Sequence, residues 1–221
     1  MLSALSTASA LVAQDPPPIK LPESGVPEAY AIEGKFIRAA YNNEGYVILG
    51  YQPANRAVGG DWMLIEVGMT LLGKTPNFTL TRGAISLETP DGKTIPLATV
   101  AEQREGRTQA LQQKAKVQRD TINYFPTAAN HPCRIGFFAE VDSPGMAYDE
   151  VELSTNRACL GRLYFHVPGG IAYGQHWLNV RFQNSLIRVP FRILTKEEEK
   201  FVGKNLKSIQ QQVEEAFRPK E

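Results

Sequence analysis

Apolar and polar positions alternate along residues 61–72 with a period of two, which is typical of a β-strand. One face of this segment is apolar throughout, with Met63, Ile65, Val67, Met69 and Leu71. The opposite face includes Glu66 and Thr70, so we expect it to be the wetter of the two. The pattern predicts a strand whose first face lies in a protein core.

Short apolar runs of this kind recur through most of the chain, and turn residues separate them. We predict strands over residues 35–41, 45–51, 84–88, 94–98, 134–141, 148–153, 159–167, 177–182 and 186–194. Asp91 and Gly92 favour a tight hairpin turn because both tolerate a positive φ. Pro190 has no amide hydrogen, so we expect its strand at a sheet edge or with that position facing solvent. Strands at this spacing predict an all-β sandwich.

Two helices complete the predicted architecture. Thr99 and Glu102 have the spacing of a capping box, and residues 100–120 are rich in good helix formers. Gly106 weakens this helix, because glycine costs about 1 kcal/mol relative to alanine in a helix interior. Its apolar face is thin, so we expect a surface helix inserted between strands.

The second predicted helix occupies residues 195–221 and begins with another capping box, Thr195 and Glu198. Its apolar positions recur at spacings of three and four and form an amphipathic stripe: Val202, Leu206, Ile209, Val213 and Ala216. The stripe suits two roles. It either packs back on the sandwich or offers a docking surface to a partner, which includes a second copy of the chain.

The N-terminal segment precedes the predicted sandwich domain of residues 30–194. Residues 1–14 are small and apolar and resemble a secretory signal, with Ala8 and Ala10 at a cleavage-type spacing, although a basic start is missing. Residues 15–29 are proline-rich and predict an extended arm. We therefore expect an exported protein, periplasmic or extracellular; a flexible tail is the alternative interpretation of residues 1–14.

Composition narrows the possible partners. The chain has 221 residues, 43% of them hydrophobic, and a formal net charge of +1. Nucleic-acid binders usually carry a clear basic excess, so we expect no nucleic-acid partner. We also expect no transmembrane segment, because an apolar run of about 18 residues is missing from the sequence.

The two cysteines are Cys133 and Cys159. In an oxidising compartment one disulfide bond is the natural expectation, and two buried free thiols are the alternative. Two cysteines and three scattered histidines lack the paired spacings of a zinc site, so we predict neither a metal site nor a cofactor.

Two blocks of sequence resemble a known family. They are GGDWMLIEVGMTLLGKTP followed by ISLETPDGKTIPL, and GRLYFHVPGG followed by WLNVRF and LIRVPFRI. These blocks cover about a third of the chain and are similar to the immunoglobulin-like extracellular domain of bacterial surface lipoproteins, a family of unknown function. The resemblance implies an immunoglobulin-like β-sandwich with a binding or structural role. This chain departs from the family in having no lipid-attachment cysteine, an insertion over residues 99–158 and an appended helix.

The sequence contains no clear catalytic motif, and we predict no catalytic residues. His131 and Cys133 share one face of an extended segment, but no third orienting group accompanies them. His166 and His176 fall at outward or turn positions of the predicted strands. The acidic residues between 142 and 152 do not have the spacing of a calcium loop.

Aromatic residues on the wetter strand faces are the better candidates for binding. Trp62, Tyr164 and Trp177 lie on the opposite parity from the core residues of their strands. Exposed rings of this kind stack on sugars or anchor a protein partner. The alternative is that the inserted or the terminal helix covers them.

These observations predict a non-catalytic exported module that contacts a protein or a glycan at the cell envelope. Two alternatives remain. The proline-rich arm could add to the sheet edge of a neighbouring subunit, or an enzyme site could lie within residues 120–160.

Overall fold

The computed structural model describes residues 29–117, 121–140 and 146–217. The strands are, in chain order, β1 (Ala29–Gly34), β2 (Ile37–Tyr41), β3 (Gly45–Gly50), β4 (Trp62–Leu71), β5 (Phe78–Thr81), β6 (Ile85–Glu88), β7 (Thr94–Pro96), β8 (His131–Ile135), β9 (Glu150–Leu153), β10 (Arg157–His166), β11 (Gly174–Arg181) and β12 (Leu186–Ile193). The helices are α1 (Gln52–Asn55), α2 (Val100–Glu105), α3 (Gln109–Val117) and α4 (Lys196–Ala216), and a 3-10 turn spans Arg82–Ala84. The signal-like residues 1–14 and the arm up to residue 28 lie outside the described residues.

The described strands form three sheets. The largest has the order β1-β2-β3-β4-β10-β8, the second β12-β11-β6-β7, and β5 pairs with β9 in a small third sheet. The two larger sheets share one apolar core, in which Val67 and Leu163 of the first sheet are as fully buried as Leu178 and Val189 of the second. The chain is thus mostly β-sheet with a C-terminal helix, consistent with a β-sandwich.

The hairpins and the edge position follow the sequence prediction. Thr89 and Lys93 close the turn between β6 and β7 through an amide-to-carbonyl hydrogen bond of 2.9 Å, and Gly92 has a φ of +79°. Strand β12, which contains Pro190, lies at the edge of its sheet. Both predictions are confirmed.

The strand predicted over residues 134–141 is wrong in position. Strand β8 runs from His131 to Ile135 because it pairs in parallel with β10, where Cys133 lies opposite Cys159. Phe137 and Phe138 leave the sheet and are buried, with the Arg82 guanidinium over both rings. Strands β1 and β5 were not predicted.

The outer face of β4 is not wet, contrary to the sequence expectation. Glu66 is 5% exposed and Thr70 is fully buried. Ile122 and Phe125, from the irregular segment after α3, belong to the apolar cluster on this side of the sheet. Gly68 makes room for this cover, since a Cβ atom there would lie 2.5 Å from the ring of Phe125.

The inserted helix is two helices rather than one. Thr99 and Glu102 form the predicted capping box of α2, but the helix ends at Gly106, and Arg107 has a φ of +49°. Gly106 lies against the indole ring of Trp62, and a Cβ atom at this position would overlap the ring. The break therefore brings the α2–α3 connection onto Trp62.

Helix α4 begins at its predicted capping box and packs back on the sheets. Val202 and Val213 of the apolar stripe are buried in the main core. The side-chain amide of Gln210 donates to the carbonyl oxygen of Ile32 at 2.7 Å, so the helix covers part of the free edge of β1. Covering an edge strand in this way limits unwanted pairing with other chains.

Candidate functional site

The structure places two of the three predicted binding aromatics on the outer face of the large sheet. Trp62 is half-buried, and its ring centre lies 5.1 Å from that of His166. Tyr164 is only 1% exposed and meets Phe138 edge to face at 4.9 Å. Burial raises the pKa of the Tyr164 hydroxyl. Its ring is therefore a packing element in this structure rather than an open surface.

Trp177 lies elsewhere, on the face of β11 that points away from the core. The Arg188 guanidinium lies 4.7 Å from the centre of its ring. Arg188 also donates to Glu88 at 2.6 Å and to Asn179 at 3.2 Å. Trp177 thus belongs to a half-exposed network across three strands, and the three aromatics do not form one surface.

The predicted disulfide bond between Cys133 and Cys159 is confirmed. It joins directly opposed residues of β8 and β10, whose Cα atoms are 4.0 Å apart. The bond lies within one sheet, whereas the characteristic immunoglobulin disulfide joins two sheets. Because Cys133 is bonded, it has no free thiol to act with His131.

A groove of about 840 Å³ opens at one end of the molecule, within the size range of small-ligand sites. One wall is the β6–β7 turn with strand β7, and the other is the connection between β10 and β11. The apolar side chains along it are Pro90, Ile95, Pro96, Ala98, Val167, Pro168 and Ala172. The pairing of β6 with β11, which sets Trp177 opposite Glu88, brings these two distant segments together.

The first wall is held by local hydrogen bonds. The Thr89 hydroxyl donates to the Asp91 carboxylate at 2.5 Å, and the Lys93 ammonium lies 2.6 Å from the same carboxylate group. These contacts, with Lys93 as the largest contributor, lower the pKa of Asp91 to about 2. The only cation of this wall is therefore already paired within the turn.

The second wall is pinned to the loop before β4. The Ile171 amide donates to the Gly60 carbonyl at 2.9 Å, and the Gly59 amide donates back to the Ile171 carbonyl at 2.9 Å. Gly170 has a φ of +89°, and a Cβ atom there would lie 2.8 Å from the carbonyl oxygen of Gly59. A side chain at residue 170 would thus displace the β10–β11 connection from the loop before β4.

His176 lines the groove at the start of β11. The ring is fully buried and stacks on Phe191 with centres 5.4 Å apart, which corrects the expected outward or turn position. Nδ1 lies 3.0 Å from the carbonyl oxygen of Gly174, whereas Nε2 has no hydrogen-bond partner. Burial lowers the pKa of His176 to about 4, so the ring is neutral near pH 7. Because a carbonyl can only accept, Nδ1 carries the proton and Nε2 is a free acceptor.

His166 and Glu102 also line the groove, and His166 directly precedes the β10–β11 connection. The His166 ring is exposed and has Trp62 behind it, so the predicted residue Trp62 supports a ring that faces the groove. Glu102 accepts hydrogen bonds from the Thr99 amide at 2.7 Å and hydroxyl at 2.8 Å. These bonds lower the pKa of Glu102, and His166 adds a smaller effect in the same direction.

The groove thus combines an apolar lining, a paired Asp91 and Lys93, the Glu102 carboxylate, and a neutral imidazole whose Nε2 has no hydrogen-bond partner. That arrangement can hold a ligand by contact and hydrogen bonding. Within the part of the chain that the structure describes, no cluster of three or more His, Cys, Asp or Glu side chains is suited to holding a metal ion. Among the residues that the structure describes, every helix is too short or too polar to span a lipid bilayer.

The enzyme alternative pointed to residues 120–160. Glu140 is the member of that region in a charged group with the buried pair Glu66–Arg162: Arg162 lies 3.6 Å from Glu66 and 3.7 Å from Glu140. The acidic residue Asp142 lies outside the described residues.

Sequence reasoning missed the groove. Its two walls are about 80 residues apart in the chain, and no local motif connects them. One signal was available for His176, because it shares the parity of the core residues Leu178 and Val180. No protein-family model, curated protein or solved structure matches this chain.

Proposed function

We propose that this chain is a non-catalytic, exported binding module that holds a protein or glycan ligand of the cell envelope in the groove beside His176. The observation that carries the proposal is the groove itself: it is about 840 Å³ and apolar, and a buried, neutral imidazole with a free acceptor atom lines it. Ligand sites combine a mostly apolar lining with a few fixed polar groups in this way.

The character of the walls supports a binding role. Three prolines restrict the backbone of the walls, and hydrogen bonds tie each wall to its neighbours. Walls with a restricted backbone lose less conformational entropy when a ligand binds. Trp62 contributes indirectly, as the support of the His166 ring, and Trp177 offers a second, half-exposed surface on the neighbouring sheet.

The disulfide bond supports export, because such bonds persist in oxidising compartments. The signal-like residues 1–14 point the same way. The relationship to immunoglobulin-like lipoprotein domains, and with it the immunoglobulin-like form of the sandwich, stays a prediction of the sequence blocks.

The proposed function is tested by filling the groove. Ala172 is exposed at its margin, so Ala172→Trp adds bulk there without removing a core side chain. Ala110→Trp places the same ring on the exposed surface of α3 and is the matched control. We expect the wild-type chain and Ala110→Trp to bind isolated envelope fractions with the same affinity, and Ala172→Trp to lose at least tenfold in that affinity.

Equal binding by Ala172→Trp would show that the groove is not the site. Failure of the wild-type chain to bind any envelope fraction would count against the proposed function as a whole.

A further inference from the structure

The net charge of the groove lining restricts the charge of the ligand that can bind there. Asp91 and Lys93 neutralise each other at 2.6 Å, and the Glu102 carboxylate accepts two hydrogen bonds from Thr99. The remaining titratable groups of the lining are His166 and His176. The formal charge of the lining is therefore −1 with both histidines neutral. Such a groove repels anions and offers no unpaired cation to a carboxylate or phosphate.

The shape and the apolar character of the lining residues favour a ligand with an apolar face. Pro90, Pro96 and Pro168 present rigid CH-rich surfaces, and the exposed His166 ring packs at a tilt against Trp62, with ring centres 5.1 Å apart. A flat aliphatic face fits between surfaces of this kind, and a ring held in place from behind loses little side-chain entropy on contact.

His176 adds a requirement for a hydrogen-bond donor. A buried polar atom without a partner costs free energy, and Nε2 is such an atom. Since the neutral ring has its proton at Nδ1, Nε2 can accept a hydrogen bond but cannot donate one. A ligand O–H or amide N–H group would satisfy it.

We propose, on the basis of the function proposed above, that the groove binds an uncharged, hydroxyl-rich glycan and that a hydroxyl or amide group of this glycan donates a hydrogen bond to Nε2 of His176. A neutral sugar combines the CH face and the donors that the lining calls for, and it lacks the charge that the lining would repel.

Access to Nε2 requires a small movement, because the atom is closed off from solvent. The β6–β7 turn lies over this end of β11: a Cβ atom on Gly174 would be 3.3 Å from the Pro90 side chain. Hairpin tips open at lower cost than paired strands do. We therefore expect the turn at residues 89–93 to shift when the glycan binds.

The experiment uses the whole chain labelled with ¹⁵N at histidine. The chain has three histidines, so His→Phe variants assign each imidazole signal. The probes are the neutral oligosaccharides chitotetraose and cellotetraose, and the anionic tetragalacturonate serves as a contrast. Calorimetry gives each Kd, and the ¹⁵N spectrum reports hydrogen bonding at each ring nitrogen.

We expect at least one neutral probe to bind, with a selective shift of the His176 Nε2 resonance and of the amides of residues 89–93. His176→Asn keeps an N–H donor for the Gly174 carbonyl but has no atom at the position of Nε2, and we expect its Kd to rise about tenfold or more. His131→Phe, on β8 and away from the groove, should bind like the wild type. Melting curves of both variants confirm folding, and the wild-type spectrum tests the contact without any substitution.

Each contrary result has a separate meaning. Suppose that envelope material binds in the groove and that tetragalacturonate, but not the neutral probes, competes with this binding. That result would overturn the ligand class and leave the proposed function intact. Binding of a neutral probe with an unchanged His176 signal would overturn the role of Nε2. Binding that protease treatment of the envelope fraction abolishes would identify a protein ligand and overturn the glycan.

Discussion

Gly106 packs directly against the indole ring of Trp62, where any side chain would overlap the ring. Gly106 has a φ of −67°, which every residue adopts easily, so backbone strain does not explain the glycine. The requirement is one of space. This contact fixes the α2–α3 connection on the ring that supports His166 at the groove.

The first prediction concerns Gly106→Ala. Alanine is the better helix former, yet the added methyl group must displace Trp62, and overpacking of this kind costs about 1–3 kcal/mol. Gly203→Ala is the matched control, because Gly203 lies within α4 with nothing near its Cβ position. We expect this control to stabilise the chain by about 0.5–1 kcal/mol. Urea unfolding of both variants measures the two changes, and stabilisation of the chain by Gly106→Ala would contradict the packing argument.

The second prediction concerns the disulfide bond. Cys133 and Cys159 are 26 residues apart, and closing a loop of that length stabilises the fold by roughly 3 kcal/mol in the chain-entropy model. We expect a reductant to lower the urea midpoint of the wild-type chain accordingly. The double variant Cys133→Ser/Cys159→Ser serves as the control, since its midpoint should not respond to reductant. A mass in non-reducing conditions equal to that of the fully reduced chain would contradict the bond.

Strand periodicity predicted much of the fold because it reports burial directly. In β4, the residues with odd numbers from Met63 to Leu71 line the core as expected. The outer face of β4 was mispredicted because an irregular segment covers it, and Ile122 and Phe125 carry no periodic signal of their own. The sequence of a strand therefore predicts a solvent-exposed face even where an irregular segment of the chain covers that face and buries it.

The candidate site was harder to predict for a related reason. The groove depends on pairing β6 with β11, and sequence alone does not specify which strands become neighbours. His176 was assigned to an outward or turn position because the predicted strand began at Trp177, whereas β11 begins at Gly174. The helix break at Gly106 was underestimated, since a propensity argument counts entropy and not the contact with Trp62.

The third prediction concerns the pH dependence of stability that arises from His176. The unfolded ring binds a proton near its ordinary pKa of 6.5, whereas burial lowers the pKa in the folded chain to about 4. Between these values the unfolded chain binds more protons, so stability is complete above pH 6.5 and falls as the pH drops towards 4. The neighbouring carboxylate Asp91, with its pKa lowered to about 2, stays ionised through this range.

The His176 contribution lost over this range is about 3 kcal/mol, at 1.36 kcal/mol per pKa unit. Urea unfolding at a series of pH values measures it. His176→Phe removes the titrating group, so its stability should change less between pH 6.5 and pH 4 than that of the wild type. Parallel profiles for the two proteins would show that His176 does not titrate as its burial requires.

The last prediction concerns the attachment of α4. Glu199, in the first turn of the helix, accepts two hydrogen bonds from Arg56 at 2.6 and 2.8 Å and one from Lys35 at 3.0 Å. The hydrogen bond from Arg56 is the largest of the effects that lower the pKa of Glu199 to about 2. These contacts join α4 to the segments that flank β2 and β3.

We expect Glu199→Gln to destabilise the chain by about 1 kcal/mol near pH 7, since the partners are partly exposed and solvent screens the pair. Glu197→Gln is the matched control, because it removes an exposed carboxylate from the same helix turn without loss of a cation partner from the described contacts. The difference in unfolding free energy between the two variants should be complete above pH 4.5, the ordinary pKa of a glutamate. It should vanish as the pH falls towards 2, where Glu199 itself becomes protonated. A difference independent of pH would mean that Glu199 stabilises the chain by packing and not by its charge.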